Sequence, residues 1–139
     1  MPTTKTILLV EDDGQLRLLV KKALEEKGYS VLAAEDSTFA SAAARMRGGI
    51  IDLILADINL PGLTGGEYAD YLKSINSNLK IVYMSGAPVQ DSDVLKHLRG
   101  DKAFFIAKPF ELKDLILTVQ RALGEIKVPP PPVENEDPS

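Results

Sequence analysis

The chain has 139 residues, enough for one domain with a good core and too few for two ordinary ones. Hydrophobic residues make up 45% and charged residues 26%, no apolar run reaches the roughly 18 residues of a membrane helix, and the absence of cysteine removes disulfides, thiolate catalysis and metal ligation by sulfur. The net charge of -4 lies mostly in residues 129–139, which hold three acids and no base. The other 17 acids and 16 bases are scattered, with neither a basic footprint for nucleic acid nor a polybasic patch for a membrane, so proteins are the expected partners. The first five residues lead into an apolar strand rather than a signal peptide, which makes the cytoplasm the expected location.

Residues 6–10, Thr-Ile-Leu-Leu-Val, form a continuous apolar run suited to a strand covered on both faces. Leu16, Leu19, Val20, Ala23 and Leu24 then repeat at helical spacing, and Gly28 is placed to end that helix. A second strand is predicted at 30–33, followed by an Ala-rich helix over 37–48 with Phe39, Ala43 and Met46 on one face and Gly48 and Gly49 as its stop. The third strand, 52–56, runs up to Asp57; Leu-Pro-Gly at 60–62 is turn chemistry, and a helix over 66–74 carries Tyr68 and Leu72. Strand four is predicted at 80–84, a weaker helix at 91–99 and strand five at 103–107. Leu112, Leu115, Ile116, Val119 and Leu123 mark the last helix.

Five strand–helix units in strict alternation imply a doubly wound α/β fold, with a five-stranded parallel sheet between two helical layers, because each crossover must be right-handed and pack back on the sheet. Residues 1–125 are read as one domain. Residues 126–139, rich in proline and acids, have little to bury and are expected to be a polyproline-like, disordered tail.

In such a sheet the residues just past the carboxyl ends of the strands share one edge, where these folds place their sites. Those residues are Glu11, Asp12 and Asp13 after strand one, Asp57 after strand three, Ser85 after strand four, and Lys108 with Pro109 after strand five. Carboxylates brought this close repel one another and must take up protons or bind a cation. Hard oxygen ligands select magnesium or manganese, and magnesium usually combines one or two carboxylates with waters and a phosphate oxygen.

Four strings in order, Val-Glu-Asp-Asp (10–13), Asp-Ile-Asn-Leu-Pro-Gly-Leu-Thr-Gly-Gly (57–66), Tyr-Met-Ser-Gly (83–86) and Lys-Pro-Phe (108–110), resemble the response-regulator receiver family of two-component signalling. The resemblance covers about residues 5–124, and the last two strings look like those of hybrid-kinase receivers. It implies the flavodoxin-like strand order 2-1-3-4-5. It also implies that Asp57 is the phosphoacceptor, taking a phosphoryl group from the phosphohistidine of a sensor histidine kinase or a histidine phosphotransfer protein. Asp12, Asp57 and the Asn59 carbonyl would hold the metal, with Glu11 acting through water. Lys108 and Ser85 would contact the phosphoryl oxygens, and Phe105 would be the aromatic switch beside Ser85. The fourth helix, fifth strand and fifth helix would then offer a surface to a downstream protein or a second copy of the chain. Such a domain is a signalling switch rather than an enzyme in the ordinary sense.

Plainer roles compete at several positions. Asp13 suits a helix N-cap. Pro109 either forms the cis peptide found in this family, aiming Lys108, or starts the last helix. His97, the only histidine, is expected at the solvated surface. Phe104 and Phe105 must face opposite sides of a strand, so one is expected in the core. A pseudo-receiver that signals without phosphorylation is opposed by the complete set of acids, Ser85 and Lys108. A flavin or nucleotide binder would need a glycine-rich turn where three acids stand. An aspartyl-phosphate phosphatase would need a nucleophilic Asp after the first strand with another acid two residues later, a pattern that Glu11, Asp12, Asp13 and Gly14 fit poorly.

Overall fold

The computed structural model describes residues 4–46, 50–57, 78–86 and 103–126. Its strands are β1 (Thr6–Val10), β2 (Ser30–Ala34), β3 (Leu53–Asp57), β4 (Lys80–Ser85) and β5 (Ala103–Ala107), and the described helices are α1 (Gly14–Glu26), α2 (Ser37–Met46) and α3 (Leu112–Ala122). The strands form one parallel sheet in the order β2-β1-β3-β4-β5. The chain moves outward from β1 to β2 and then crosses back over β1 to β3. With right-handed crossovers that reversal puts α1 and α2 on opposite faces. The expected helices over 66–74 and 91–99, with His97, Asn59 and the tail from residue 127 onward, lie outside the described residues.

Strand alternation divides the core in two. Ile7 and Leu9 of β1, Leu53 and Leu55 of β3, and Val82 and Met84 of β4 pack with Val20 and Leu24 of α1 and Leu115, Val119 and Ala122 of α3. Leu8, Val10, Ile54, Ala56, Ile81 and Tyr83 point the other way, toward Ala40 of α2. All five residues of β1 are buried, as its unbroken apolar run requires. Each fully buried Leu or Ile contributes about 1.5–3 kcal/mol, so this central strip dominates the packing energy.

Local signals set the helix ends. Asp13 is the N-cap of α1, its carboxylate accepting from the amides of Gln15 (3.0 Å) and Leu16 (3.2 Å). The helix stops at Gly28, whose φ of 96° lies in the left-handed region that glycine tolerates.

The structure corrects the sequence reading at four places. Leu19, expected on the buried face of α1, is exposed, because the face that meets the sheet is the line Leu16, Val20, Leu24, and Leu19 stands about 100° round from Val20. Phe39 is exposed for the same reason: α2 seats Ala40 and Ala43 against the sheet and turns Phe39 away. Asp57 and Ser85 are the last residues of β3 and β4 rather than the first beyond them, because the ladder still pairs Asp57 with Met84 and Ser85 with Ala107.

Candidate functional site

β1 and β3 are hydrogen-bonded neighbours whose register ends at Val10 opposite Ala56, so Glu11 and Asp57 are each one step further along, at the same height on the carboxyl edge. Glu11 stays tied to the sheet, its amide donating to the Ala34 carbonyl at 3.0 Å. Lys108 follows β5, two strands from β3, and its long stem reaches back across the end of β4. The Lys108–Pro109 peptide is cis, as the resemblance implied.

These placements bring the charges together. Lys108 Nζ donates to Asp57 Oδ2 at 2.9 Å and also to Glu11 Oε1. Glu11, Asp12 and Asp57 can each present a carboxylate oxygen within 4.8 Å of the others. The Glu11 side chain is fully buried, whereas those of Asp57 and Lys108 keep 13% and 20% of their exposure. A buried acid is held by an ion pair while Asp57 stays reachable from solvent.

The electrostatics follow from this arrangement. Burial pushes the Glu11 carboxyl above its ordinary value, and the neighbouring Asp12 adds to that, outweighing the pull of Lys108. Burial alone would lower Lys108, but its bonds to Asp57 and Glu11 win and raise it, so it remains an ammonium. Hard oxygens at this spacing match one divalent cation, since magnesium or calcium oxygens at roughly 2.0–2.6 Å from the ion lie about 3–5 Å from one another.

The remaining sequence-predicted residues separate. Ser85 closes β4 one residue beyond Met84, the register partner of Asp57, which puts its backbone on the same edge. Asn59 lies outside the described residues. Phe105 is paired with Tyr83 in mid-strand and is 41% exposed, while Phe104 faces the core. Asp13 caps α1 rather than joining the acidic set.

Sequence reasoning missed three features: the pairing of Lys108 with Glu11 across 97 residues, a bond from Arg17 Nη1 to the Glu11 carbonyl (2.8 Å), and a cleft of about 380 Å³ lined by Leu16, Gly86, Lys108, Pro109 and Phe110. The cleft had one legible signal, the apolar residues flanking Lys108 in Lys-Pro-Phe.

A sequence model of the response regulator receiver domain matches residues 7–120. The chain belongs to the response regulator receiver family. A relative among characterised proteins is the response regulator receiver protein CpdR of Brucella abortus (strain 2308), 35% identical over 86% of this chain and 97% of that protein. Sensor kinase CckA from the same organism is 31% identical over 85% of this chain, which spans only 12% of that much longer protein. Among solved structures, a CheY-like receiver domain protein from Methanospirillum hungatei JF-1 superimposes with a TM-score of 0.71 at 28% identity, covering 88% of this chain and 96% of the other. The receiver domain is thus a switch module of two-component phosphorelay signalling, and none of its described helices is long and apolar enough to cross a membrane.

Proposed function

We propose that this receiver accepts a phosphoryl group on Asp57 from the phosphohistidine of a sensor histidine kinase or a histidine phosphotransfer protein, in the cytoplasm and with a magnesium or manganese ion. The observation that carries the reading is the meeting of Glu11, Asp12 and Asp57 oxygens within 4.8 Å with Lys108 bonded to Asp57. A carboxylate of this kind needs no general base, so the site's work is to align donor and acceptor and to offset charge. The Asp57 carboxylate attacks phosphorus, the bond from phosphorus to the donor imidazole nitrogen breaks with its electron pair, and an acyl phosphate is left on Asp57. Asp12, Asp57 and the Asn59 carbonyl would hold the cation, with Glu11 behind them, and a bound cation would supply positive charge to the phosphoryl oxygens.

Lys108 serves as a compact point charge that can exchange a carboxylate partner for a phosphoryl oxygen. The Ser85 hydroxyl would donate to another of those oxygens and draw the end of β4 inward. Phe105 would respond by turning in, biasing a pre-existing equilibrium toward the signalling state. Its exposed position on β5 supports this role, because the ring has burial still to gain. The surface read by a downstream protein or a second copy would then be β5, α3 and the helix expected over 91–99. Residues 1–125 would be the receiver and 126–139 an appended tail, in keeping with the family match over 7–120.

Intact-mass measurement after incubation with a small phosphodonor and magnesium tests the reading. A single phosphoryl adduct is expected on the wild type and none on Asp57→Asn or without metal. A wild type that stays unmodified while a control receiver labels would establish the pseudo-receiver reading instead.

A further inference from the structure

Asp12 is an exposed residue with a short side chain, so where its carboxylate points depends on its backbone. Both peptide planes that flank it are tied down. In the plane before it, the Glu11 carbonyl accepts a bond from Arg17 Nη1 at 2.8 Å. In the plane after it, the Asp13 amide donates to Glu11 Oε2 at 3.2 Å.

Arg17 is well placed for such a clamp. Its own amide donates to the Asp13 carbonyl at 2.8 Å, so its backbone is itself anchored to the acidic turn. Its guanidinium folds back over that turn: a Cβ at Gly14 would lie 3.6 Å from Nη2. The far side of the turn is held by Glu11 N–H on the Ala34 carbonyl of β2. A guanidinium bonded to a neutral carbonyl makes a charge-assisted hydrogen bond, roughly twice as strong as one between neutral groups. Rotation of the Glu11–Asp12 peptide would break that bond and swing the Asp12 carboxylate away from Asp57.

We infer that Arg17 is a positioning residue for the cation site: by holding the Glu11 carbonyl it fixes the Glu11–Asp12 peptide and aims the Asp12 carboxylate at Asp57. This rests on the reading that Asp12 and Asp57 bind the cation. Groups that orient metal ligands from behind typically contribute 10–100-fold to metal affinity, which sets the scale of the effect.

The test is calorimetric titration of the whole chain with magnesium and with manganese, for wild type, Arg17→Met, Arg17→Lys and Asp12→Asn, with thermal unfolding of each variant measured without metal. Arg17→Met is expected to weaken both cations about tenfold, Arg17→Lys to recover most of that loss through one remaining donor, and the metal-free melting temperatures of both to stay near the wild type. Phosphorylation of Arg17→Met by a small phosphodonor should approach the wild-type rate once the cation is raised to saturation. Wild-type cation affinity in Arg17→Met, alongside lost binding in Asp12→Asn, would overturn the positioning role and leave the cation site standing. Wild-type affinity in Asp12→Asn would instead overturn the cation reading on which the role depends. If Arg17→Met melts far lower and Arg17→Lys, though stable, binds cations as weakly as Arg17→Met does, the clamp is also refuted, because a donor at position 17 would then not restore the aim.

Discussion

At the amino end of the sheet each acceptor faces a donor. The Thr6 amide donates to Asp52 at 2.8 Å, the Tyr29 hydroxyl to Glu125 at 2.6 Å, and Lys5 reaches the Leu123 carbonyl at 3.4 Å. At the carboxyl end three carboxylates approach one another, and Lys108 bridges two of them. The strands are the same, so the difference lies in what their ends carry. Matched polar pairs lock one conformation in place, whereas gathered like charges cost stability until something neutralises them. The first end serves the fold and the second serves binding.

The largest effect expected from breaking this contrast is at Lys108. Lys108→Met leaves the fully buried Glu11 without its cation and should lower stability by about 3 kcal/mol. Urea unfolding at neutral pH measures it, and millimolar magnesium should restore part of the loss. Next is Tyr29→Phe at the opposite end, which removes one short bond to an acid and should cost about 1–1.5 kcal/mol without changing the rate of phosphoryl uptake on Asp57. Loss of phosphorylation in that variant would mean that the two ends are coupled.

The same tyrosine gives the amino end a pH signature. Burial, and then Glu125, raise the Tyr29 phenol above its ordinary value. The folded state therefore holds that proton more tightly than the unfolded chain, so the contribution is intact below the unfolded value of about 10 and is lost as pH rises beyond it. Tyr83, raised by burial, acts in the same direction. Urea midpoints between pH 9 and 11 should fall for the wild type and fall less for Tyr29→Phe.

Asp12→Asn should move the other way, raising metal-free stability by about 0.5–1 kcal/mol as repulsion is relieved, while cation binding is lost. A metal-free melt of that variant below the wild type would contradict the account of the carboxyl end. The smallest effect belongs to neither end: Lys21→Ala removes an exposed pair with Glu25 on α1 (3.0 Å) and should cost no more than about 0.5 kcal/mol.

Much of this was legible in advance. The apolar runs at 6–10 and 103–107 are β1 and β5 without adjustment, because a charged residue stands at each end of both, Lys5 and Glu11 in one case and Lys102 and Lys108 in the other. Asp13 as an N-cap and Gly28 as a helix stop were readable because capping depends on a few adjacent residues. Leu19 and Phe39 misled, because helical spacing shows which residues share a face but not how wide a face the neighbouring sheet will cover.

The residue types at the strand ends, and their order along the chain, were determined by the sequence alone: Glu11 and Asp12 after one apolar run, Asp57 at the end of another, Lys108 after the last. Tertiary structure decided that Glu11 is the buried member, that Lys108 spans Glu11 and Asp57, and that Arg17 grips the Glu11 carbonyl. The two Lys108 contacts follow from placing β1 beside β3 and β5 two strands away, an arrangement that turns separations of 51 and 97 residues into direct contacts. No local pattern encodes such distances; they arise when the sheet forms.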